Sequence, residues 1–192
     1  MGHALLWRVI KPALLFFLFL SLPCFPGFSL PMGADGALAR LKQDLARGPS
    51  ATEVLSHWCG DLHFADPPQI HAKQMHVLHP ADAKVRALLK VSARERIGYR
   101  RVRLTCGGHV LSEADNWYVP GRLTPAMNRT LGTTDTPFGT VVKPLDFHRV
   151  TLRAQPFQQG RTMFQVQAVL LTPEDRPISL VVENYQRDLL GR

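Results

Sequence analysis

The chain reads as an α+β domain with a single antiparallel β-sheet and helices packed on it. Three observations predict this. Apolar residues recur at helical spacing in the first part of the chain, between residues 34 and 58. From Tyr99 onward apolar and polar residues alternate, as in half-buried strands. The last two strand-like segments are joined by a loop of hairpin length, which suits neighbouring antiparallel strands. Helices first and adjacent strands later is the order of an α+β fold.

The elements follow in order. Leu38, Leu41 and Leu45 place a helix over residues 34–47, and Gly48 is a suitable stop. Ser50 can cap a second helix over residues 52–58, because its hydroxyl can accept a hydrogen bond from a first-turn N–H. Residues 69–78 read as a strand. Pro80 sits at the first turn of a helix over ADAKVRALL. In Tyr99–Cys106, Val102, Leu104 and Cys106 alternate with Arg101, Arg103 and Thr105. Gly107-Gly108 is a hairpin turn signal, and residues 109–119 return as the partner strand. Thr124 caps a helix carrying Pro125 in its first turn and ending at Gly132. Thr136-Pro137 opens a further helical turn. Strands over residues 148–154, 162–172 and 178–186 complete the domain, the last two flanking Pro173–Pro177.

Composition narrows the function. The chain has 192 residues, 45% hydrophobic and 20% charged, which suits one folded domain with a real core. The formal net charge of +8 is spread along the chain without a Lys/Arg run or a nucleic-acid-binding motif. No nucleic-acid partner is expected, and a modest positive field suits a small acidic ligand. Eight histidines raise a metal hypothesis. The closest pair, His76 and His79, has no cysteine or carboxylate framing a recognisable site, so no metal is expected. Asn128-Arg129-Thr130 matches a glycosylation tripeptide, a pattern that chance supplies often.

The N-terminus has the layout of a secretory signal. Arg8 and Lys11 precede the apolar run Ala13–Leu22, and Pro23, Pro26 and Gly27 follow. The run is short for a membrane span, which needs about 20 apolar residues. Cleavage after Ser29 makes residues 1–29 a signal peptide and residues 30–192 the domain, and it lowers the net charge by two, to +6. The expected location is periplasmic or secreted, with no stable membrane insertion after cleavage. An uncleaved anchor, or a start at Met32 that leaves the protein cytoplasmic, are the alternatives. Cleavage removes Cys24 and leaves Cys59 and Cys106, which can pair in an oxidising compartment or stay as two separate buried thiols.

Read without further help, the charged positions are bland. Arg101 and Arg103 share one strand face, the pattern of a solvated surface. Glu183 alternates in phase with Val181 and Tyr185, where an outward carboxylate is the default. His109 reads as a turn-flanking surface residue. Asp115-Asn116-Trp117-Tyr118 reads as a strand end where the tryptophan packs and Asn116 bonds to backbone.

Several landmarks in order give these positions more meaning. They are Ser50-Ala51-Thr52, the strand Tyr99–Cys106 ahead of a hairpin, Val119-Pro120, Thr136-Pro137-Phe138-Gly139, and Leu180-Val181-Val182-Glu183. Together they resemble the chorismate pyruvate-lyase family over roughly residues 35–187. The resemblance implies elimination of pyruvate from chorismate to give 4-hydroxybenzoate, with no cofactor, because aromatisation drives the reaction. It places the carboxylate-binding arginine on Arg101, whose planar guanidinium can grip a carboxylate through two bonds. It places the active-site glutamate on Glu183, where burial beside Val181 and Val182 is expected to raise the carboxyl pKa for a general acid. Phe138 stands where the family often has leucine and walls the ring pocket. Ala51 stands where it often has methionine, so the pocket's shape differs. The same fold type serves as the sensing domain of certain transcription regulators. A signal-like segment stands where those regulators carry a DNA-binding domain, and an exported lyase would meet little chorismate, so the alternative function is a non-enzymatic periplasmic binder of small aromatic carboxylates on the same fold, expected to be monomeric.

Overall fold

The computed structural model describes residues 33–191, so the signal-like segment with Cys24 lies outside the described residues. Six strands form one antiparallel sheet in the order β1-β2-β3-β6-β5-β4. They are β1 (His71–Met75), β2 (Gly98–Cys106), β3 (His109–Tyr118), β4 (His148–Gln159), β5 (Thr162–Leu171) and β6 (Pro177–Gln186). Among the described residues five α-helices accompany them: α1 (Ala34–Arg47), α2 (Ala51–Asp61), α3 (Ala83–Leu88), α4 (Pro125–Thr133) and α5 (Phe138–Val142). This is the α+β architecture that the sequence predicts.

The elements differ from the sequence reading mostly at their ends. Helix α3 starts later than its proline suggested, because the Asp82 carboxylate accepts from the Val85 N–H at 2.7 Å and sets the cap there. Helix α4 runs through Gly132 to Thr133, and the Thr134 N–H closes it on the Thr130 carbonyl. Strand β4 is longer than expected because β5 pairs with it along nearly its whole length. At the β2–β3 turn Gly107 adopts φ of 55°, and a Cβ there would collide with the Phe64 carbonyl, so glycine is needed.

The two faces of the sheet differ. One face carries Val102, Leu104, Ala114, Val166, Ala168, Val181 and Tyr185 and packs against Leu41 and Leu45 of α1 and Val54, Leu55 and Trp58 of α2. Near one end of the sheet, α4 and α5 pack Met127, Leu131, Phe138 and Val142 on Leu170 and Ile178. The opposite face is covered in part by Val85 and Leu89, which pack on Trp117, Val169 and Leu180. A disulfide joins Cys59 of α2 to Cys106 of β2, with Cα atoms 6.2 Å apart. It ties the helix layer to the sheet. No helix among the described residues is long and apolar enough to cross a membrane.

Candidate functional site

The first turns of α2 and α5 meet over the helix-covered face of the sheet. The Ser50 hydroxyl caps α2 by accepting from the Glu53 N–H at 3.1 Å. Pro137 fixes the entry to α5. A Cβ at Gly139 would sit 3.1 Å from the Thr52 hydroxyl oxygen and 3.4 Å from the Ser50 Cβ, so glycine lets the two turns touch. Beneath them is a cavity of about 50 Å³ lined by Ala51, Ala114, Asn116, Phe138, Arg149 and Glu183, among others. Above the same turns lies an open polar cleft of about 610 Å³. Ser50, Thr52, Pro137 and Gly139 border both. The cleft is the larger space, but the buried charges line the cavity.

Those charges form a connected group. Arg149 Nη1 donates to Glu183 Oε1 at 3.0 Å and Nη2 donates to Glu183 Oε2 at 2.6 Å. The Tyr185 hydroxyl donates to Oε2 at 2.8 Å. The side chains of Arg149 and Glu183 are only 4% and 7% exposed. Burial disfavours the charged guanidinium of Arg149, but the Glu183 carboxylate, by charge and by hydrogen bond, holds its proton more tightly than usual. Burial, and then the adjacent carboxylate, push the Tyr185 hydroxyl well above its ordinary pKa. Small residues make room for the group. Ala114 faces Glu183 across the β3–β6 ladder, and Ala168 lies on β5 between the rows of Arg149 and Glu183.

Arg101 does not belong to this site. Strand alternation places Arg100, Val102 and Leu104 on the helix-covered face and sends Arg101 and Arg103 to the other. Arg101 there lies 3.4 Å from Asp115 and 3.5 Å from Glu113, and Arg103 donates to Glu113 at 2.8 Å. Arg101 and Glu183 therefore occupy opposite faces of the sheet. The one-residue step moves the candidate cation to Arg100, since a shift of one flips every side chain of a strand.

Arg100 is 3% exposed and stands across the ladder from Asn116, a cavity-lining residue. Its side chain has one hydrogen bond among the described residues, from Nη2 to the Thr134 carbonyl at 3.5 Å, and its buried Nε has none. Burial lowers its pKa, and Tyr118 and Asp135 oppose this through charge. Asn116 accepts from the Ser179 hydroxyl through Oδ1 at 2.5 Å, which leaves its amide N–H₂ as a donor. Its partner is thus a side chain, where the sequence suggested backbone.

The remaining candidates separate. Phe138 and Ala51 line the cavity with Glu183, and the Phe138 ring lies 5.7 Å from that of Tyr118. Val182, expected beside Glu183, points to the opposite face and packs with the Trp117 cluster. His109 stacks on Phe64 at 3.8 Å and faces Asp188 at 3.3 Å, away from the cavity. No group of three or more metal-ligating side chains occurs among the described residues. Sequence reasoning missed Arg149 and Tyr185. Tyr185 had a signal, since it shares a strand phase with Glu183; Arg149 had none, because Val150 and Leu152 would have claimed the inward phase of β4.

The effector domain of PhnF from Mycobacterium smegmatis superposes with a TM-score of 0.53 at 16% identity, covering 73% of this chain and 90% of that one. A second structure of PhnF from the same organism gives 0.51 at 15% identity and 79% coverage of each chain. These likenesses show the fold, which is the chorismate lyase-like fold. No family model matches the chain. In sequence the chain is 38% identical to the protein y4mC of Sinorhizobium fredii, described as uncharacterised, over 86% of this chain and 81% of that one. At that identity and coverage, the chain belongs to the family of y4mC.

Proposed function

We propose that this domain binds a small cyclic or aromatic carboxylate between the sheet and the first turns of α2 and α5, without converting it. The observation that carries the reading is Arg100. A buried guanidinium that lacks a carboxylate partner is costly, by several kcal/mol of desolvation. Its Nε, like those of Arg122 and Arg149, has no acceptor among the described residues, but unlike Arg149 it has no carboxylate hydrogen-bonded to it there, and a ligand carboxylate fits a planar two-pronged donor. The Asn116 amide adds a second donor close by. Phe138, Val102, Leu104 and Val181 supply apolar walls for a ring. A dry cavity of about 150 Å³ holds benzene in another protein, so a ring acid here needs more than the closed cavity. The α2–α5 contact at Gly139 separates the cavity from the cleft, and binding of a ring acid in this reading requires that contact to open. The likeness in fold to a domain described as the effector domain of PhnF is in keeping with this reading.

Chorismate elimination is the second reading. A buried carboxylate beside Phe138 favours it, as does the resemblance in sequence. It asks Glu183 to hand over a proton, and the commitment of both oxygens to Arg149 and Tyr185 works against that. The Cys59–Cys106 disulfide supports an exported location, since such bonds persist in oxidising compartments.

Calorimetric titration of the purified protein with benzoate, 4-hydroxybenzoate and chorismate separates the readings, with chromatography of each mixture. Saturable binding of a ring acid without pyruvate release is the expected result. Equimolar pyruvate and 4-hydroxybenzoate above a protein-free control would establish the lyase. Absence of binding by all three acids would overturn both readings.

A further inference from the structure

We propose that the groove between α1 and the β4 edge of the sheet is a second binding site, which takes a short aliphatic carboxylate with its acid group on Lys42. The site is separate from the ring-acid cavity, and neither depends on the other.

The groove exists because the helix layer stops one strand short of the sheet's edge. Helix α1 packs Leu41 and Leu45 on the inner rows of β5 and β6, where Phe164 and Val166 are buried. On β4 the same inward phase carries Thr151, Ala154 and Pro156, opposite Ala168, Val166 and Phe164, and all three stay exposed. Lys42, Leu45 and Ala46 form the facing wall, at the i, i+3 and i+4 positions that share one face of a helix. Alanine at 46 and at 154 leaves the space open. It amounts to about 170 Å³, comparable to the cavity of about 150 Å³ that holds benzene in another protein. Its outline is long. From Phe164 to Ala168 is four residues along β5, about 13 Å at about 3.3 Å per residue. A chain fits that outline better than a ring.

One end of the groove is charged. Lys42 Nζ lies 5.1 Å from the centroid of the Phe164 ring, at the Pro156 end. Asp44, the carboxylate nearest to Lys42 in sequence, is taken up by the Trp58 indole and by Arg40. Among the described residues Lys42 pairs with no carboxylate and has the ring as its partner. A ring face attracts an ammonium less than a carboxylate does, so a ligand's acid group gains a charge-assisted hydrogen bond there. The ligand's chain, laid along Ala154 towards Thr151, removes apolar surface from water. The groove and the cavity share no lining residue. Val166 and Phe164 on the groove side are ladder partners of Glu183 and Tyr185, so the Arg149–Glu183–Tyr185 group separates the two.

Nuclear magnetic resonance titration of the isotope-labelled full chain with butanoate, hexanoate, octanoate and octanol tests this site. Amide signals of Leu45, Ala46, Thr151 and Ala154 should shift and saturate with octanoate. Each added methylene from butanoate to octanoate should tighten binding by roughly two- to fourfold. Lys42→Met should weaken octanoate by about 5- to 10-fold and leave octanol within about twofold, whereas Lys42→Arg should keep octanoate within about threefold. Ala154→Phe fills the groove from an exposed strand position that suits an aromatic residue. It should abolish octanoate binding there and leave unchanged any shift that 4-hydroxybenzoate produces at Phe138. A lysine that merely covers the apolar wall would make octanol and octanoate weaken together in Lys42→Met, and that overturns the charged end of the site. Octanoate shifts confined to Ala51, Asn116 and Phe138, or no saturable shift at all, overturn the proposal and leave the ring-acid reading to its own titration. Sedimentation of the same samples covers the remaining occupant. A dimer that octanoate or Ala154→Phe dissociates would make a second copy of the chain what fills the groove, and would also overturn the proposal. Should Ala154→Phe fail to fold, the Lys42 variants still decide.

Discussion

Arg100 and Arg101 are neighbours on β2, and they meet opposite environments. Arg101 faces outward, 30% exposed, between Glu113 and Asp115. Arg100 faces the core, nearly buried, and among the described residues it has one long hydrogen bond to a carbonyl and an Nε without a partner. Across the sheet Arg149 is a buried arginine with a carboxylate partner, gripped by Glu183 at 2.6 and 3.0 Å, although its Nε too has no partner among the described residues. An exposed pair contributes little and tolerates loss. A buried pair is expensive to break. In the proposed reading, Arg100, with no carboxylate hydrogen-bonded to it among the described residues, is the position that takes the ligand's anion. One β-strand thus separates an exposed ion-pair network from a buried, weakly bonded arginine by a single residue.

The contrast can be attacked first through stability. Arg149→Ala leaves Glu183 buried without its partner and should cost about 3–5 kcal/mol in urea unfolding. Arg103→Ala breaks a pair of comparable length on the outer face and should cost under about 1 kcal/mol. Similar costs for the two would erase the distinction between faces. Removing the disulfide with Cys59→Ala and Cys106→Ala should cost about 4 kcal/mol, because the bond closes a loop with a sequence separation of 47. A loss under 1 kcal/mol would mean that core packing alone holds α2 on the sheet.

Alkaline titration tests the two faces through their tyrosines. Burial, and then Glu183, raises the Tyr185 pKa, and burial followed by Asp115 raises that of Tyr99. A group whose folded pKa lies above its unfolded value binds more protons when folded. Its stabilising share is complete below the ordinary tyrosine value of about 10 and falls as pH rises beyond it. Stability should therefore decline above about pH 10, and the Tyr185 phenolate should appear in the ultraviolet spectrum only together with unfolding. Tyr185 ionising in the folded state would contradict the enclosed geometry around Glu183.

Much of the architecture was legible in the sequence. Helical spacing placed α1 and α2, and alternation placed β2, β3, β5 and β6. Caps and turns marked most boundaries, because they depend on a few residues in contact along the chain. The site was legible in part. Ala51, Phe138 and Glu183 meet at one cavity, but local signals locate α2 and α5 without bringing them together. Arg101, the arginine named from the sequence, lies on the face opposite the cavity, since in a strand one residue is the whole difference between faces. Arg149 was hidden for a physical reason. On edge strand β4, Val150 and Leu152 remain 41% and 43% exposed, so the apolar phase of the strand faces out and the charged residue goes in. The disulfide was left open because a separation in sequence carries no distance.

The most direct test of the account is a paired titration of 4-hydroxybenzoate into Arg100→Met and Arg101→Met. The account predicts that Arg100→Met weakens binding by at least about 100-fold, as expected when a charge-assisted pair is removed, while Arg101→Met stays within about twofold of wild type. Equal losses in the two variants, or a loss confined to Arg101→Met, would place the ligand on the outer face and contradict the assignment of the cavity.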